Sequence, residues 1–195
     1  NQIDSLTPFV EYAEQDYIKD IIGETLYLAF DEYVNAEDST TNEYYDALLP
    51  YVQNALAKFT FFLGGPSLDI RISEAGFVVT MNGNFAPASK DRVEKLMKSV
   101  LELGWKRIED LQNFLFKNKA DYDEYTSDVA YTNATAMFIN TAKDFHDCGV
   151  NIDKSRYKFE QMRGEMQNIE TLVIEPLISK AQADSIKAEV LEDDV

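Results

Sequence analysis

Two long apolar stripes, separated by a glycine-proline stop and a short alternating segment, occupy residues 46–116, and a chain of this kind has to fold around a helix pair. Leu48, Val52, Leu56, Phe59 and Leu63 recur at steps of three and four, which places them on one helical face. Gly64-Gly65-Pro66 ends that helix, because proline cannot continue it. Pro50 sits early, and it marks the true first turn if 42–48 form a separate turn. Leu68, Ile70 and Ile72 then alternate with Asp69, Arg71 and Ser73. After the turn Glu74-Ala75-Gly76, Phe77, Val79 and Met81 alternate back, which predicts a β-hairpin over about 68–81. Ser89 is an N-cap for a second helix, with Asp91 in its first turn. That helix carries Val93, Met97, Leu101, Trp105, Ile108, Leu111 and Leu115 on one face. Gly104 beside this stripe predicts a close backbone approach or a bend.

On either side of this centre the pattern stays helical. Thr7-Pro8 starts a helix, and a stripe from Tyr12 to Val34 follows, interrupted at Gly23. Residues 35–42 are polar and read as a loop, as do 118–128. Small apolar residues from Val129 to Phe145 predict one closely packed helix, stopped by Cys148-Gly149. Asp153 or Ser155 caps the next helix, with Phe159, Met162, Met166, Ile169 and Val173 on one face and Pro176 as a kink or an end. Residues 17–24 and 173–180 echo one another, which reads as shared helix-end chemistry rather than a repeat. The expected fold class is mainly α: a helical bundle of about five to seven helices with one inserted β-hairpin. Residues 1–190 are expected to form a single helical domain and 191–195 an acidic, frayed tail.

The charge balance narrows the partners. The net charge is −17, so duplex nucleic acid and anionic membranes are poor candidates for tight binding. No run approaches the roughly 18 apolar residues of a membrane span. The single cysteine, Cys148, rules out an intrachain disulfide. The chain starts with Asn1, so a trimmed start is compatible with it, and no basic-then-apolar signal region is present.

A search for chemistry returns little. The only histidine, His146, lies two residues from Cys148, and positions two apart on a helix diverge. One histidine and one cysteine do not make a structural zinc site. Asp121-x-Asp123 begins like a calcium loop, but Thr126 and Thr132 stand where a glycine and a bidentate glutamate are needed. No glycine-rich phosphate loop is present. Thirty-five carboxylates offer many acid pairs, and nothing selects one. The expectation is therefore a non-enzyme with no catalytic residue, metal or cofactor.

Several segments taken together resemble a known family. They are Leu49-Pro50-Tyr51-Val52-Gln53-Asn54-Ala55-Leu56-Ala57-Lys58, 68–77, Pro87-Ala88-Ser89, 138–142 with Phe145, 155–159, and Ile169-Glu170 with Ile174-Glu175-Pro176-Leu177-Ile178. This order resembles an uncharacterised family of Bacteroidetes genomes and their phages, including crAss-like phages. Such proteins tend to carry glycine where this chain has Ser179. The resemblance implies a structural virion protein made in the bacterial host cytoplasm. Its implied role is a head-to-tail connector or neck adaptor, forming a homo-oligomeric ring between the portal and a neighbouring tail or neck protein. DNA would pass the negative lumen without sequence-specific binding. The hairpin, with Asp69, Arg71, Phe77, Val79 and Met81, is the expected docking element, by adding strands to a neighbour. Alternatively it covers the core of its own subunit. The competing reading of the whole chain is a soluble helical interaction module of a bacterial host or mobile element.

Overall fold

The computed structural model describes residues 4–36, 41–68, 70–73, 76–79 and 89–193. Among them are eleven α-helical segments: α1 Thr7–Ala13, α2 Lys19–Ile22, α3 Glu24–Asn35, α4 Glu43–Gly64, α5 Lys90–Lys117, α6 Asp123–Thr126, α7 Val129–Ala134, α8 Ala142–Asp147, α9 Arg156–Ile169, α10 Glu175–Ile178 and α11 Lys180–Asp193. Two π-turns, Glu14–Ile18 and Glu170–Ile174, fuse α1 with α2 and α9 with α10, so nine helices result.

The α4–α5 pair is the most extensive helix–helix contact. Leu48, Val52, Ala55 and Phe59 of α4 and Ile108, Leu111 and Leu115 of α5 are buried, so the α4 stripe and the C-terminal half of the α5 stripe face inward as their spacing predicts, whereas Val93, expected on the same α5 face, is exposed. Phe59 is the keystone. Tyr17 stacks on it at 3.9 Å between ring centroids, and Trp105 meets it edge-on at 5.7 Å. At Gly104 the close approach comes from a side chain and not from the backbone expected: a Cβ there would stand 3.0 Å from the Phe59 ring. Burial of one such ring contributes roughly 1.5–3 kcal/mol. Ile18, Ile22, Leu26 and Phe30 close this core from the N-terminal side. A second core gathers Met137, Ala142, Phe145, Ile152 and Phe159.

The expected fold class is corrected in two respects. Nine helices replace five to seven, and the architecture is helical, with both cores among the described residues built from helices and their connections. Among the described residues no hairpin layer over 68–81 completes it. Leu68 stays in the turn after α4, its N–H donating to Gly65 O at 3.1 Å. Among the described residues, strand pairing joins β1 Ile70–Ser73 to β2 Gly76–Val79, four residue pairs from Ile70↔Val79 to Ser73↔Gly76. Two strands this short have too little area to make a layer of the fold.

Local chemistry accounts for the other differences. Asn42 caps α4, its side chain accepting from the N–H groups of Tyr44 (3.0 Å) and Tyr45 (3.3 Å), so 43–48 are helical and Pro50 lies inside the helix. The 118–128 connection holds α6. The helix expected over 129–145 breaks into α7 and α8. Thr135 Oγ1 donates to Tyr131 O (2.9 Å), while the Asn140 side chain bonds both the N–H (3.2 Å) and the C=O (2.9 Å) of Met137. Thr141 then caps α8 through Asp144 N–H (3.1 Å). Ser155, rather than Asp153, caps α9. In place of a frayed tail from 191, α11 runs to Asp193.

Candidate interaction surface

The C-terminal end of the molecule repeats the N-terminal end in backbone geometry. Each unit is an α-helix, a five-residue π-turn, a four-residue α-helix, one left-handed residue and a second helix. The left-handed residue is Gly23 in the first unit (φ 84°, ψ 156°) and Ser179 in the second (φ 71°, ψ 150°). Glu14 matches Glu170, Ile18 matches Ile174, and Ile22 matches Ile178. In both units the glutamate that opens the π-turn reaches the following helix. Tyr27 Oη donates to Glu14 at 3.3 Å, and Lys187 Nζ lies 3.2 Å from Glu170. The echo at 17–24 and 173–180 is therefore one register of a longer structural correspondence.

The two units differ in what covers them. In the first, Ala13 is fully buried, Tyr17 lies on Phe59 and Ile21 packs against the core. Their counterparts Ile169, Val173 and Leu177 lie open, with Leu177 80% exposed. Leu172, which replaces Asp16, is 73% exposed. These four residues fall at helical steps of three and four and form one apolar stripe. The expectation that Ile169 and Val173 continue the inward face of Phe159, Met162 and Met166 is corrected. The same π-turn in the first unit leaves its face covered, so the difference lies in which helices the rest of the chain brings to each face.

The stripe sits on a firm base. Glu170 is buried, accepts the Phe138 N–H at 2.9 Å and pairs with Lys187, whose Nζ lies 4.9 Å from the Phe138 ring centre. Lys187 also lies 3.5 Å from Glu175. Arg156 opens α9 from within the second core. It pairs with Glu160 at 2.5 Å and donates to Asn140 O at 3.3 Å. Burial pulls its guanidinium below the ordinary range, which the neighbouring Glu160 carboxylate opposes. Burial raises the Glu109 carboxyl, with Arg156 and the Lys143 and Ala142 N–H groups pulling the other way.

The clefts do not converge on chemistry. One of about 420 Å³ lies between Asp16, Asp20, Trp105 and Arg163. Glu14 is also raised by burial, yet it bonds to Tyr27, and no cleft described joins it to Glu109. Among the described residues no group of three or more His, Cys, Asp or Glu side chains could hold a metal ion, and no helix is long and apolar enough to cross a membrane. Cys148 is exposed. Of the residues expected to dock, Asp69 and Met81 lie outside the described residues. Arg71, Phe77 and Val79 stand in the short ladder, opposite Val78, Ile72 and Ile70. Sequence reasoning missed Leu172 and Leu177 as an outward stripe. The echo was the signal for it, since it aligned these residues with a segment whose surroundings differ.

No curated protein and no solved structure matches this chain. A family model described as a family of unknown function (DUF6712) matches residues 18–135, more than half of the chain, and the protein belongs to that family.

Proposed function

We propose that this protein is a structural virion protein, a head-to-tail connector or neck adaptor that assembles as a ring between the portal and a neighbouring tail or neck protein. The observation that carries the reading is the open apolar stripe Ile169, Leu172, Val173 and Leu177, held on a rigid base. A stripe of this kind on an otherwise acidic surface is the mark of a surface built to be covered by protein. The sequence resemblance supplies the phage context, and the −17 charge suits a lumen through which DNA slides without adhering. On this reading the chain is made in the bacterial host cytoplasm, ends in the virion, needs no cofactor and catalyses no reaction.

Mixing the purified chain with the portal ring of the same phage tests this. Native mass spectrometry and negative-stain microscopy are expected to show a ring of this chain seated on the portal. A chain that stays monomeric and leaves the portal ring unoccupied refutes it.

A further inference from the structure

We infer that the apolar stripe of α9–α10 docks on the N-terminal half of α5 of a second copy of this chain, in a head-to-tail contact. The inference rests on the assembly part of the reading above and names the surfaces that would make it.

The first argument is internal correspondence. The N-terminal unit presents Ala13, Tyr17 and Ile21 to the α4–α5 pair, where Tyr17 meets Phe59 and Trp105. The C-terminal unit repeats that backbone and keeps apolar residues at the same places, yet Ile169 and Val173 are more than half exposed and Leu177 is 80% exposed. A face built like the first therefore lacks the helix surface that the first one has.

The second argument is that α5 supplies such a surface upstream of its use in the subunit's own core. Val93, Leu96 and Leu103 are exposed and lie at steps of three and seven on one side of the helix. This segment is also basic within an acidic chain. Lys90, Arg92, Lys95, Lys98 and Lys106 stand against Asp91, Glu94 and Glu102 between 90 and 106. Between 165 and 187 the C-terminal segment has the opposite balance, Glu165, Glu170, Glu175 and Asp184 against Lys180 and Lys187. Opposite charge around two apolar faces favours their meeting and disfavours each face meeting itself. Because the two surfaces differ, the contact is heterologous, and repetition closes a ring or runs on as a filament.

Site-specific cross-linking tests the pairing. In the full chain with Cys148→Ser, Leu96→Cys and Leu172→Cys are made as separate variants, both at exposed positions, and are mixed with a short bismaleimide. The expected product is the mixed pair, at least tenfold over either self-pair, and raised salt should reduce it. Lys95→Glu with Lys98→Glu should abolish it, and Glu165→Lys with Asp184→Lys should restore it in that background. Predominant Leu172→Cys self-pairs would show a two-fold dimer and overturn the inference. A monomer by analytical ultracentrifugation that still binds the portal through Leu172 also overturns it, while leaving the connector reading intact. Mixed pairs in a chain that ignores the portal uphold the inference and remove the connector reading.

Discussion

The carboxyl carbon of Asp128 lies 2.5 Å from the place a Cβ on Gly23 would occupy. Asp128 accepts from the Thr25 N–H (3.2 Å) and hydroxyl (3.1 Å) and from the Ala130 N–H (2.9 Å), so one carboxylate fastens the starts of α3 and α7. These hydrogen bonds, the Ala130 N–H first, hold its carboxyl below the usual range. Gly23 thus answers two demands, a left-handed backbone and room for Asp128. Gly23→Ala should lower stability by about 3 kcal/mol in urea denaturation. In an Asp128→Gly background every atom of that clash, including the Asp128 Cβ at 2.9 Å, is gone, and the same change should lose only the backbone strain, about 1–2 kcal/mol. Equal losses in the two backgrounds would disprove the contact.

Ser179 holds the left-handed position of the second unit with a side chain that disfavours it. Ser179→Gly should raise stability by about 1 kcal/mol, since the relief of strain exceeds the few tenths lost when its hydroxyl no longer accepts from the Gln182 N–H. A melting temperature unchanged or lowered in Ser179→Gly would show that the backbone there is not strained.

Glu170 ties three segments together, and Glu170→Ala strands two partners at once, the Phe138 N–H and one face of Lys187. The expected loss is about 2–4 kcal/mol. Amide exchange distinguishes this from a general weakening: Phe138 should lose protection before the α4–α5 core does. Uniform loss across both regions would contradict the role assigned to Glu170.

Tyr27 sets an alkaline limit. Burial, then the Glu14 and Asp31 charges and its hydrogen bond to Glu14, pushes its hydroxyl up to about 12. An unfolded tyrosine ionises near 10. The folded state holds this proton more tightly, so the stability linked to it is fully present below about pH 10 and is lost between about 10 and 12. Tyr27→Phe should flatten the fall of stability over that window. An equally steep fall in the variant would place the alkaline sensitivity elsewhere.

The helices, their inward stripes and several of their ends were legible in the sequence, because each depends on contacts three or four residues apart. Leu48 to Phe59 and Ile108 to Leu115 face the core as their spacing requires, and Gly104 marks the approach of Phe59. The break of 129–145 was less legible. It comes from side chains bonding backbone, as Asn140 does to Met137, which competes with helix only when the surroundings fit.

By itself the sequence determined a negatively charged, mainly helical chain organised on α4 and α5, with the same helix-end pattern written twice. Only the tertiary structure decided that the two copies have different fates. Local spacing sets which residues share a face, but whether that face is buried depends on what the rest of the chain brings to it. The α4–α5 pair covers Tyr17 and Ile21, while Val173 and Leu177 have no such cover among the described residues.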